Sequence, residues 1–213
     1  MVFQKYNIWY FFTTFILLVN FLNFFSNQYL FSEDLFIVAL SEKYSYKTIQ
    51  ELLTQNREWG WLTYIFLPIP YLIKFSLVSM TLYIGLYFAN IKVTFKELFG
   101  VANLAEFVFL LPAIIKLFWF VFFQPNFTLD DLQSFHPLSA VSLFDYKQIE
   151  SSLLYPLKLI SVFELVYWFV LAYGISKVIK QNMAESMKLV LLSYGSGLLL
   201  WVIFKVFLNI VNS

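Results

Sequence analysis

Five long apolar stretches, separated by short polar segments, divide the chain. They cover residues 8–29, 61–89, 101–123, 156–175 and 189–211. Each is near the ~20 apolar residues that an α-helix needs to cross a hydrocarbon layer ~30 Å thick. The first, interrupted by Asn20, Asn23 and Asn27, follows Lys5 as a secretory leader would. Its apolar part is too long for one and no small-residue cleavage motif follows, so it reads as a retained anchor. The second exceeds one perpendicular crossing and is too short for two. Pro68 and Pro70 within it predict a tilted or kinked helix. The pattern as a whole predicts an all-α polytopic membrane bundle of five transmembrane helices, forming one domain over residues 1–213.

The polar segments orient this bundle. With the N-terminus inside, the inner segments hold Lys5, Lys92, Lys96, Lys177, Lys180 and Lys188 against Glu97 and Glu185. The two longer connections hold Glu33, Asp34, Glu42, Glu51, Glu58, Asp130, Asp131, Asp145 and Glu150 against Lys43, Lys47, Arg57 and Lys147. Lysine-rich short loops belong on the cytoplasmic side, which gives an N-in, C-out topology. Both extracytoplasmic loops carry an amphipathic signal. Within 45–58, Tyr46, Ile49 and Leu53 share a helix face, and Thr48 with Glu51 has the spacing of a capping box. In the second loop, Asp145 is placed to cap a helix bearing Tyr146, Ile149 and Leu153, ended or bent near Pro156. Trp59 and Trp61 sit where an interfacial aromatic belt is expected. These short helices read as membrane-surface covers, and the face of Tyr46, Ile49 and Leu53 also as a docking surface for a partner.

Composition supports the class and removes others. Of 213 residues, 61% are hydrophobic, 22% aromatic and 13% charged, whereas a soluble domain carries about 25% charged residues. The net charge of +1 supplies no field for nucleic acid. The absence of cysteine excludes thiolate chemistry and disulfides. His136 is the single histidine, so a His-based zinc site or a Ser-His-Asp triad is incomplete, and its loop position reads as an ordinary surface residue. No phosphate-binding loop, nucleophile elbow or HExxH occurs. The expectation is a non-enzymatic protein with no cofactor or metal.

Ionisable residues inside the apolar stretches carry the remaining chemistry: Lys74, Glu106, Lys116, Lys158, Glu164 and Lys205. A charge at mid-membrane costs about 2.5–3.5 kcal/mol and usually faces the bundle interior. Lys158 and Lys205 are close enough to helix ends to snorkel. Glu164 falls near the middle of the fourth stretch, and Lys74 approaches the same depth. The expectation is an ionised Glu164 paired with Lys74, or second with Lys116. The spacings Thr81-x-x-x-Gly85 and Ser193-x-x-x-Gly197 mark close helix contacts, and the run from Ser193 to Gly197 is also a place where the fifth helix loosens.

The run SLFDYKQIESSLLYPLKLISVFELVYWFVLAYGISKVIKQNMAESMKLVLLSYG resembles the last two spans of the Ypt-interacting-protein (Yip) domain family. Its matching features are Glu164, the close LAYGISK with Gly174, and the basic loop from Lys177 to Lys188. The segment TFKELFGVANLAEFVFLLPAII, with Pro112, is similar to the family's third span. The likeness covers roughly residues 90–210. It implies a five-span, N-in bundle acting as a non-enzymatic adaptor. Eukaryotic relatives bind Rab-type GTPases through a long cytosolic N-terminal tail, and this chain offers about seven residues there. Bacterial relatives are associated with ABC-type efflux systems that have a periplasmic adaptor. The short tail and sizeable outer loops suit that version, as an accessory subunit of an envelope complex in the inner membrane. The alternative is a small transporter or channel using Lys74, Lys116, Glu106 and Glu164.

Overall fold

The computed structural model describes residues 7–41 and 43–211. Lys5 and Glu42, used above to orient the chain, lie outside the described residues. Among those described no strand forms, and five helices are long and apolar enough to cross a membrane: Ile8–Tyr29, Trp61–Phe88, Phe95–Phe123, Val162–Ile179 and Met183–Val211. The protein is an integral membrane helical bundle. At ~1.5 Å per residue the second, third and fifth spans are each over ~40 Å long, so they tilt or project beyond the hydrocarbon.

Local chemistry sets the boundaries, and three differ from the apolar stretches. The third span starts at Phe95 rather than 101, because Thr94 and Glu97 close a capping box around its first turn. The fifth starts at Met183 rather than 189, with Asn182 accepting from the Glu185 N–H. The fourth runs Val162–Ile179 rather than 156–175, and Pro156 belongs to a separate helix, Ser151–Leu159. In the second span Leu67, itself with helical backbone angles, separates Trp61–Phe66 from Pro68–Phe88.

The break between the two helices of the fourth region is at Ile160 and Ser161, both extended. Its open backbone groups are met by the preceding connection. Ala140 N–H donates to the Ile160 carbonyl at 2.7 Å, and Val162 N–H donates to the Leu138 carbonyl at 2.9 Å. Leu138 adopts a left-handed backbone, φ 56°, to present that carbonyl, a strain that only surrounding structure sustains. Irregular backbone near membrane depth needs such internal partners. Ser151–Leu159 then lies along the last span, where Trp201 Nε1–H donates to Tyr155 Oη at 2.8 Å.

Spans two to five share one core, with Leu82, Leu86, Leu98, Ala102, Leu171, Ala172, Ile175 and Val190 fully buried. The two small-residue motifs meet each other. A Cβ added at Gly85 would lie 2.2 Å from Ser193 Cβ, and one at Gly197 would lie 2.6 Å from Thr81 Cγ2. The second and fifth helices therefore cross antiparallel with their backbones in near contact. The fifth helix widens into a π-type turn at Leu191–Gly195, as its glycine-serine run suggested. The first span packs on the bundle through a second buried cluster, with Phe12 and Phe15 against Phe75 at ring centroids 5.9 and 5.7 Å apart. Leu17, Phe21, Leu200 and Phe207 are among the many large apolar side chains left exposed, which suits lipid.

Candidate functional site

Two places gather polar side chains: the interior of the bundle, and a cleft at the end where the two long connections meet.

In the interior, the Lys74 ammonium donates to and ion-pairs with Glu106 Oε1, and lies 4.5 Å from the centre of the Phe109 ring. Glu106 is 1% exposed. The expected Lys74–Glu164 pair is thus corrected, because Glu106 on the third span reaches the ammonium directly. Glu164 accepts instead from Trp168 Nε1–H at 2.7 Å and from the Tyr194 hydroxyl at 2.8 Å, both on Oε1. Nor is Glu164 at mid-helix. It occupies the first turn of Val162–Ile179, where its N–H donates to Ser161 Oγ at 3.1 Å. The apolar run hid the break at Ile160 and Ser161, so the helix begins later than hydropathy implies. Both carboxylates lie within electrostatic reach of Lys74 and of each other.

Tyr167 sits among these groups, fully buried, its ring 4.9 Å from Phe109 and 5.4 Å from Tyr194. Its hydroxyl, Glu106 Oε2 and Asn103 Oδ1 are buried without a hydrogen-bond partner. Counted from the lysine-rich helix ends, Lys74 stands ~21 Å deep, Glu106 ~17 Å, Glu164 ~23 Å and Tyr194 ~17 Å. The cluster therefore occupies one level, near the middle of the bundle. Trp168 follows Glu164 by four positions, and Tyr167 by three, so both are within its helical reach. Tyr194 rides on the π-type turn, which carried a packing signal in the sequence but none for this hydrogen bond.

Lys116 is separate. It donates to the Leu132 carbonyl, fastening the third span to the connection after it. Lys158 reaches Tyr146 Oη at 3.4 Å, and Lys205 lies over the Trp201 ring.

The cleft has a volume of about 1450 Å³, between residues 32–39 and 124–147. Val38, Trp119 and Phe144 line it together with Asp34, Asp130, Asp131 and Asp145. Asp130 bridges Lys147 at 3.1 Å. Asp131 completes a capping box with Thr128, and the Thr128 N–H holds its carboxyl below the usual carboxylate range. His136 is half-buried rather than an ordinary surface residue. Desolvation first, then the nearby Lys158 and Lys116, lower it to about 4, so it is neutral at pH 7.

The helix Tyr46–Trp59 is capped by Ser45, whose hydroxyl accepts from the Thr48 N–H at 3.3 Å. The Thr48–Glu51 box does not form, since Thr48 already lies in the first turn. Ile49 is buried, Leu53 half-buried and Tyr46 exposed, so this trio splits between packing and surface. Arg57 pairs with Glu33 at 2.6 Å, joining this helix to Glu33–Leu40. Asp145 caps only the turn Tyr146–Gln148, and Leu153 belongs to the next helix.

No protein-family model, curated protein or solved structure matches the chain.

Proposed function

We propose that the protein is an integral inner-membrane accessory subunit that holds a segment of an extracytoplasmic partner in the cleft. The observation that carries this reading is the cleft itself. It sets four carboxylates against Lys147 and a neutral His136 around an apolar floor. Such a surface favours a basic, partly apolar segment, because complementary charge steers encounter while buried apolar contacts hold the complex. The connections forming it are tied down by Lys116, Arg57 and two hydroxyl caps, so a partner would meet a preformed site.

The lysines support placing the cleft outside. Lys92, Lys96, Lys177, Lys180 and Lys188 lie in or beside the short connections at the opposite end. The resemblance of residues 90–210 to Yip-domain adaptors points the same way.

A photo-crosslinking residue at Val38, which is 73% exposed, tests the proposal in native membranes. The expected product is one discrete protein adduct, lost when Asp34→Lys and Asp130→Lys reverse the rim charge. Adducts confined to lipid, or a protein adduct indifferent to the reversals, would refute it.

A further inference from the structure

Lys74, Glu106 and Glu164 put two carboxylates and one ammonium inside the bundle. Lys74 is committed to Glu106 by contact, and no lysine or arginine contacts Glu164 among the described residues. We infer that Glu164 is an intramembrane proton-binding site, carrying an exchangeable proton on Oε2 while Glu106 stays ionised against Lys74.

Geometry assigns the two oxygens different roles. Trp168 and Tyr194 both donate to Oε1, which leaves Oε2 as the oxygen that accepts from neither. Oε2 is then the oxygen that carries hydrogen. The Tyr167 hydroxyl is fully buried beside the site and makes no hydrogen bond to either carboxylate. It lies in the field of both Glu106 and Glu164. A hard metal ion fits poorly. Calcium takes about 6–8 oxygens, the Lys74 charge stands beside the site, and among the described residues no three acidic or imidazole groups gather.

The groups facing Glu164 from each packed element are Lys74 of the second span, Glu106 of the third and Tyr194 of the fifth, while Tyr71 of the second span faces Glu106. Tyr155 of Ser151–Leu159 completes the set, with Tyr167 on its own helix. Lys74 is the cation among them. A first-turn position favours the anion, so the proton is held loosely enough to leave. The helix break one turn away, at Ile160 and Ser161, puts the exchange route on the cleft side.

Dicyclohexylcarbodiimide modifies protonated carboxyls in apolar surroundings, and mass mapping locates the adduct. On the full chain in nanodiscs, the adduct should form at Glu164 and not at Glu106. Its rate should fall roughly tenfold per pH unit above the titration midpoint. Infrared difference spectra supply a readout that needs no reagent access: a protonated-carboxyl band that Glu164→Gln removes and Glu106→Gln leaves. Absence of both adduct and band in folded protein overturns the proposal. So does a band removed by Glu106→Gln instead.

Discussion

Replacing Lys74 with methionine tests the interior ion pair where its two members differ most. The Lys74 side chain is 45% exposed and that of Glu106 is 2% exposed. Without the ammonium, Glu106 keeps a buried carboxylate with no cation and, on Oε2, no hydrogen bond. Breaking a buried pair in this way costs about 3–5 kcal/mol. The converse variant, Glu106→Gln, leaves a lysine able to extend. Its cost should be smaller, about 1–3 kcal/mol for the displaced hydrogen bond. The double variant Lys74→Met/Glu106→Gln strands neither charge and should recover about 0.5–3 kcal/mol relative to the sum of the single losses. Thermal unfolding of detergent-solubilised protein, followed by tryptophan emission, reads all three. Strict additivity, or a Glu106→Gln loss exceeding that of Lys74→Met, would refute the reasoning. Pairing Lys74→Met with Glu164→Gln should give no comparable recovery.

Gly85→Ala should destabilise by about 1–3 kcal/mol because its Cβ meets Ser193, and adding Ser193→Gly should restore part of the unfolding temperature. Ser161→Ala removes the cap on the fourth span and should cost about 1 kcal/mol in the same assay. His136 has a folded value of about 4, below its usual 6.5, so the unfolded chain binds the extra proton between those values. Stability of its connection should therefore be full above about pH 6.5 and decline as the pH falls toward 4. Hydrogen-exchange protection over 126–147, referenced to the intrinsic amide rate at each pH, would fall on acidification, and His136→Asn should flatten that response. An unchanged pH response in that variant would assign the titration to another group.

Hydropathy made the bundle legible because lipid demands long apolar helices, and the five stretches map onto the five spans. It was blind to caps. Thr94, Ser161 and Asn182 set helix starts by hydrogen bonding, and their polar side chains say little in a windowed average. The break above Glu164 was hidden for the same reason, since Ile160 and Val162 are as apolar as a helix interior. Lys74, Glu106 and Glu164 stood out as charges in apolar runs, but their partnership depends on helix rotation about the bundle axis. The motifs Thr81-x-x-x-Gly85 and Ser193-x-x-x-Gly197 each showed packing, while only the fold shows that they pack on one another. The cleft had no sequence signal beyond the acidic bias of the two long connections.

Everything proposed for the cleft depends on the side of the membrane it faces. The chain contains no cysteine, so single-Cys variants at Lys47 and Lys180 can be reacted with a membrane-impermeant maleimide in intact cells without background. An outward cleft requires labelling at Lys47 and protection at Lys180 until the cells are opened. Labelling at Lys180 with protection at Lys47 would contradict it.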